Sequence, residues 1–190
     1  LDEIEMASFG HVAVGMAAGR IYAGRGKPAW KAMVALSVIS MLPDLDVIAF
    51  SFGIPYENQF GHRGATHSIA VALLIGLVAY LLAGPLKLPP KKTGLFVAAV
   101  AVSHGLLDAF TNGGLGPALL WPFTDHRFWA PIRPIFVAPI GLDIFSMWGL
   151  LVILNEIVIF SPFWIYALKP FYLDRDEPNE APKAPGTPGQ

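Results

Sequence analysis

Long apolar runs dominate the chain. Ser68 to Gly84 carries no charge, and Thr93 to Leu107 has His104 as its one ionisable residue. Ile144 to Leu168 holds a single acid, Glu156, in an otherwise apolar stretch. A membrane span needs about 20 mostly apolar residues, so these three segments are expected to be membrane helices. Two weaker segments precede them. Met6 to Ala23 is rich in small residues and includes His11 and Arg20, while Ala32 to Leu42 is apolar and stops at Pro43. The proline ring disfavours helical geometry at the residue before it, which ends or kinks the helix there. The pattern predicts an all-α polytopic transmembrane helical bundle of about five helices, the first two short, in one domain over residues 6–170. From Asp174 to Gln190 the chain is proline-rich and charged without apolar periodicity, which predicts a disordered cytoplasmic tail.

Composition narrows this picture. Of 190 residues 54% are hydrophobic and 14% charged, against about 25% charged in an average soluble domain. An ordinary cytosolic globule and a disordered chain are both excluded. The net charge is −1 and no basic run is present, so nucleic-acid binding has no support. The absence of cysteine rules out disulfides, thiolate zinc sites and thiol nucleophiles. Asp2, Glu3 and Glu5 precede the first apolar run, where a cleaved signal peptide would carry basic residues. Leu1 is an unusual first residue, and a translation start at Met6 would account for it.

Basic residues orient the bundle. Arg20, Arg25, Lys27, Lys31, Lys87, Lys91, Lys92, Lys169, Arg175 and Lys183 fall on one side, against Arg63, Arg127 and Arg133 on the other. Positive charge favours the cytoplasm, so the N-terminus is expected outside and the C-terminus inside.

On that topology the ionisable residues collect at one level. His11 lies near the outer end of the first helix, and Asp44 and Asp46 follow the second. His62 and His67 flank the start of the third, His104 and Asp108 end the fourth, and Asp143 begins the fifth. Chance would scatter them over both faces. Glu156 alone is expected deep, about 20 Å along a helix from Asp143. A transporter tends to place such groups near the midplane, whereas this cluster points to a metal or enzyme-like site at the outer face. His104 and Asp108 are four apart and share a helix face. Asp44 and Asp46, two apart on a kinked stretch, can aim one carboxylate at an ion while the other orients a ligand. Nitrogen and carboxylate donors without sulfur suit zinc, manganese or iron. Taken singly, His11, His126 or Asp44 would more often be a packing or turn residue; their convergence is what favours a site. Gly113, Gly114 and Gly116 read simply as a helix end and turn.

In order, the motifs are GH (10–11), LPDLD (42–46), GHRGATHS (61–68), SHGLLDAFTNGG (103–114) and LLWPF (119–123). Over about residues 10–143 the chain resembles a bacterial inner-membrane family described as membrane-bound metal-dependent hydrolases, whose best-known members are under LexA control. The resemblance implies His11, Asp44, Asp46, His62, His67, His104 and Asp108 as candidate ligands. Members often carry a histidine after the D-x-D, where this chain has Val47. In ligand style the chain is also similar to zinc-dependent phospholipase C.

These readings combine into a hydrolase of an ester or phosphoester, lipid-linked substrates included, at the outer face of the inner membrane. The metal set is His11, Asp44, His62, His67, His104 and Asp108, for a divalent ion, with zinc first and manganese or iron as alternatives. Asp46 is expected as general base, and Arg63 as the group that holds a phosphate or carboxylate by paired hydrogen bonds. Arg127 and Arg133, among Trp121, Phe123 and Trp129, are expected as anchors at the lipid interface. The rival reading is a non-catalytic metal-stabilised membrane protein or a metal-ion permease. Glu156 discriminates, because a permease would need it as a relay.

Overall fold

The computed structural model describes residues 5–6, 9–24, 29–139 and 145–170. The tail expected to be disordered, together with Asp143, Arg25 and Lys27, lies outside the described residues. Six α-helices follow in order among them: α1 (Phe9–Ala23), α2 (Trp30–Met41), α3 (Ile69–Ala83), α4 (Pro90–Asp108), α5 (Met147–Ile159) and α6 (Ser161–Leu168). Two 3-10 helices, Pro43–Phe52 and Ala65–His67, join α2 to α3. The two-residue strands β1 (Glu5–Met6) and β2 (Ala138–Pro139) pair antiparallel. Among the described residues the regular structure is thus helical apart from this pair and an isolated bridge between Thr111 and Ile135, and 109–137 runs without a helix.

Local chemistry sets most helix starts. Ser68 caps α3 by accepting from the Val71 N–H at 3.1 Å, and Ser146 does the same for α5 through Gly149 at 3.1 Å. Prolines occupy the first turns of α4 and α6, where a missing N–H costs nothing.

Glycines set how closely the helices pack. A Cβ on Gly15 would lie 2.5 Å from the Ser37 Cα, and one on Gly19 only 2.3 Å from the Met33 Cα. Backbone therefore meets backbone along the α1–α2 seam, the small-residue packing common between membrane helices. α3 and α4 form a second antiparallel pair beside it. Leu73, Leu74, Leu77 and Leu81 on α3 stay 52–62% exposed, while His11, Arg20, Asp44, His62, Arg63, His67, His104, Asp108 and Glu156 are buried. An apolar outside around a charged inside inverts the water-soluble arrangement.

The last segment differs from the single helix expected over 144–168. It breaks into α5 and α6, bent by 68°. Pro162 cannot donate to the preceding turn, so the two pieces take separate directions. Glu156 is consequently not a deep, isolated acid. Its Oε2 accepts from the Gly10 N–H at 2.7 Å, placing a carboxylate at the positive end of α1 beside His11. Farther along, Arg20 Nη1 donates to the carbonyl oxygens of Ala167, at 3.0 Å, and of Lys169. α6 therefore runs parallel to α1.

No single described helix is long and apolar enough to cross a membrane. α4 has 19 residues but opens on Pro-Lys-Lys-Thr. Trp30–Met41 with Pro43–Phe52, and Met147–Ile159 with Ser161–Leu168, reach the required length and apolarity only as bent pairs.

Candidate metal centre

The end of α2 begins the site. Pro43 lacks an N–H and opens a 3-10 helix that carries Asp44 and Asp46. With three residues per turn, positions two apart project about 120° apart. Asp44 therefore faces α4 while Asp46 faces the 61–67 turn. That turn is held tightly against its own start: Arg63 has φ +59°, a left-handed value uncommon for a residue with a Cβ. Gly105 lets the turn meet α4, because a Cβ there would lie 2.3 Å from the His67 carbonyl oxygen. The approach brings His67 against His104, one residue before that glycine.

Four donor atoms then surround one point. His67 Nε2 lies 3.0 Å from His104 Nε2, 3.4 Å from Asp44 Oδ1 and 3.2 Å from Asp108 Oδ2. His104 Nε2 lies 3.2 Å from Asp44 Oδ1 and 3.6 Å from Asp108 Oδ2. A regular tetrahedron of donors about 2.0–2.1 Å from its centre has edges of about 3.3–3.4 Å. The five separations bracket that value, so the cluster can hold a metal ion.

The surrounding bonds aim these atoms inward. His104 Nδ1 donates to the Ser40 carbonyl at 2.6 Å, which leaves the Nε2 lone pair facing the centre. His67 Nδ1 lies 3.2 Å from Asp46 Oδ2 and 3.0 Å from Thr66 Oγ1, a carboxylate behind a histidine ligand. Asp44 Oδ2 is buried with no hydrogen-bond partner, while Asp108 Oδ2 has the Arg63 Nε at 3.5 Å. A carboxylate oxygen so placed carries a high cost unless a cation meets it.

Charge arithmetic agrees. Asp44, Asp46 and Asp108 share the cluster with the Arg63 guanidinium, whose Nε is 3.5 Å from Asp108 Oδ2. With neutral imidazoles the buried sum is −2, which a divalent ion cancels.

The remaining sequence candidates stand one layer out. His11 does not join the four donors; its Nε2 is 3.2 Å from Asp108 Oδ1, and its ring stacks on His104 at 3.9 Å. His62 Nδ1 donates to Asp46 Oδ1 at 2.7 Å. Asp46, His62 and His67 form a second group close enough to hold an ion, sharing His67 with the first. Asp46, the expected general base, also accepts from Thr66 Oγ1, so both of its oxygens are hydrogen-bonded within the protein. Arg63 is 1% exposed. Its Nη1 donates to Thr111 Oγ1 at 2.9 Å and to the carbonyls of Gly113 and Leu115 at 3.1 and 3.2 Å. It ties the 111–115 loop to the site. Arg127, read as an interfacial anchor, clamps the carbonyls of His62, Tyr56 and Asn58. Ser40, Thr111 and Tyr56, whose hydroxyl accepts from the Leu115 N–H at 3.2 Å, also shape the site without a signal in the sequence motifs. Ser40 acts through a backbone carbonyl, which leaves no signature in a side-chain pattern.

Residues 6–172 match the family described as YdjM inner membrane protein. The chain belongs to that family. It is also 40% identical over 123 residues to inner membrane protein YbcI of Escherichia coli (strain K12), an alignment covering 64% of this chain and 71% of that protein. No solved structure matches. The YdjM match covers every residue of the cluster, from His11 to Asp108, and places the chain among inner membrane proteins. Neither the YdjM name nor that of YbcI carries an activity.

Proposed function

We propose that this YdjM-family protein is a polytopic inner-membrane hydrolase that uses one divalent ion, zinc first, to cleave an ester or phosphoester. The observation that carries the reading is the near-tetrahedral set of Asp44, His67, His104 and Asp108, with separations of 3.0–3.6 Å. Manganese and iron fit the same donors with added positions. When bound, the ion supplies Lewis acidity, which acidifies water and polarises the scissile oxygen.

This chain's own residues do the rest. Asp46 orients His67, His11 steadies Asp108, and Arg63 fixes Asp108 to the 111–115 loop. In the hydrolysis a water oxygen bonds to phosphorus or the acyl carbon. The bond to the leaving alcohol's oxygen breaks, and the water's proton passes to that alcohol. All four donors are nearly enclosed, Asp44 being 5%, His67 3%, Asp108 1% and His104 0% exposed. The excess of basic residues in the expected inner loops supports an external N-terminus and a cytoplasmic C-terminus.

A second reading has its own support. Four protein donors, all nearly buried, resemble a closed structural site more than one with an open position. Purified protein assayed with zinc or manganese on ester and phosphoester probes separates the two. Metal-dependent turnover abolished by chelation is expected of the hydrolase. Bound metal and a chelator-sensitive melting temperature without turnover establish the metal-stabilised protein instead.

A further inference from the structure

A cavity of about 560 Å³ lies between α2 and the α3–α4 pair, in the size range of ordinary small-molecule sites. Its walls are apolar: Leu36 and Ile39 on α2, Ala79 and Leu82 on α3, Phe96 and Val97 on α4. Leu82 and Leu86, also in the lining, stay 55% and 67% exposed, so the cavity opens sideways. It is separate from the metal cluster. Thr93 in its lining precedes His104 by three turns of α4, about 16 Å along the helix.

The polar residues of the lining all belong to one end. Tyr22 lies at the end of α1, Lys31 at the start of α2 and Thr93 at the start of α4. Tyr22 Oη and Thr93 Oγ1 are hydrogen-bonded at 2.8 Å, which pins α1 to α4 at that level. Lys92 Nζ stands 5.0 Å from the Tyr22 ring centroid and 6.0 Å from that of Phe96, both rings of the lining. That ammonium is therefore held at the same end by its attraction to the ring faces. The helices offer it no counter-charge: no Asp or Glu occurs between residues 6 and 43 or between 58 and 107, the segments that build the cavity. α2 and α4 also begin without a side-chain cap, unlike α3 and α5. Their first N–H groups and positive dipole ends add to the two ammonium groups.

We infer that this cavity seats one anionic diacyl phospholipid, its phosphate against Lys31, Lys92 and the starts of α2 and α4. One acyl chain then fills the apolar space between α2 and the α3–α4 pair. The phosphodiester supplies the negative charge that these helices lack. Basic pockets between membrane helices recognise acidic head groups in this way. The groove between α1 and α2, at about 480 Å³, has no charged residue in its lining and offers no such contact. Three helical turns from His104, the lipid is not a substrate. It is a resident that joins the α1–α2 pair to the α3–α4 pair, and its seat does not depend on the hydrolase reading.

The test uses the full chain in detergent, with dioleoyl phosphatidylglycerol and dioleoyl phosphatidylcholine offered in equal amounts. The two lipids share their acyl chains and differ in net head-group charge. Native mass spectrometry is expected to show one lipid retained per chain, phosphatidylglycerol at least tenfold over phosphatidylcholine. Lys31→Gln combined with Lys92→Gln should reduce phosphatidylglycerol retention at least tenfold, and Lys31→Arg with Lys92→Arg should preserve it. Ala35→Trp, which enters the cavity from an exposed position on α2, should expel the lipid. Val38→Trp, in the α1–α2 groove, should leave retention unchanged. Equal melting temperatures of the delipidated proteins separate loss of lipid from loss of fold. No retained lipid in the parent, equal retention of the two lipids, or indifference to the glutamine pair overturns the head-group assignment. Retention unaffected by Ala35→Trp, or lost equally in Val38→Trp, overturns the seat. Displacement by glycerol 3-phosphate alone marks a simple anion site and overturns the lipid as its occupant.

Discussion

Asp46→Asn is the substitution that best tests how the cluster is built. The wild-type carboxylate accepts from His62 Nδ1 at 2.7 Å and from Thr66 with its other oxygen, while His67 Nδ1 approaches that second oxygen at 3.2 Å. An amide replaces one acceptor by an NH2 donor. If the NH2 faces His67, that ring must accept at Nδ1 and carry its proton on Nε2, the atom needed at the centre. If it faces His62, that ring changes tautomer instead and the damage is indirect. Removing a partner that orients a metal-bound histidine costs about 10–100-fold in affinity, or about 1.4–2.7 kcal/mol. A competition titration against a chromophoric chelator in detergent measures this. Asp44→Ala, which deletes a donor, serves as the reference and should lose far more. Unchanged affinity in Asp46→Asn would show that Asp46 does not position His67. A loss equal to that of Asp44→Ala would make Asp46 a ligand in its own right.

Four further outcomes follow from the same geometry. Gly105→Ala should cost about 1–3 kcal/mol in melting stability by overpacking and should weaken metal binding, because the new Cβ meets the His67 carbonyl; an unchanged melting curve refutes the close approach. Chelation of purified protein should lower its melting temperature and zinc should restore it, since removal of the ion leaves three buried carboxylates facing one guanidinium; a flat response counts against a resident ion. Glu156→Gln should keep the metal and lose about 0.3–1 kcal/mol from the charge at the start of α1, read by thermal melting, whereas loss of metal flux in cells would revive the permease. Reporter fusions after Lys92 and after Gln190 should report cytoplasm and one near Gly114 the exterior, and the reverse would move the site to the inner face.

The sequence made some of this site legible and hid the rest for identifiable reasons. His104 and Asp108 could be paired because an α-helix fixes what four residues of separation means. That periodicity fails after Pro43, where the chain tightens to three residues per turn. Which of Asp44 and Asp46 faces the centre depends on that change, and the motif LPDLD does not announce it. His11 and His62 were gathered correctly into the neighbourhood, but their layer is set by the positions of Asp108 and Asp46 in three dimensions. The break at Ser161-Pro162 was visible in the letters, yet the apolar run continues across it, so hydropathy merged two helices into one. Glu156 then looked deep when its true neighbour was Gly10, 146 positions away.

The ties from α1 to the C-terminal helices also order events in time. All four donors lie between residues 44 and 108, whereas the Gly10–Glu156 and Arg20–Ala167 bonds join positions 146 and 147 apart. At about 5–20 residues per second of synthesis, Glu156 emerges some 2–10 s after Asp108. A nascent chain therefore completes its cation-binding set while α1 is still untethered at that end. On the metal-site reading, the four donors are therefore all available to an ion before α5 and α6 close the bundle. Chains made in an ion-starved cell would be sealed empty, and their later loading would be limited by how often α5 and α6 let go.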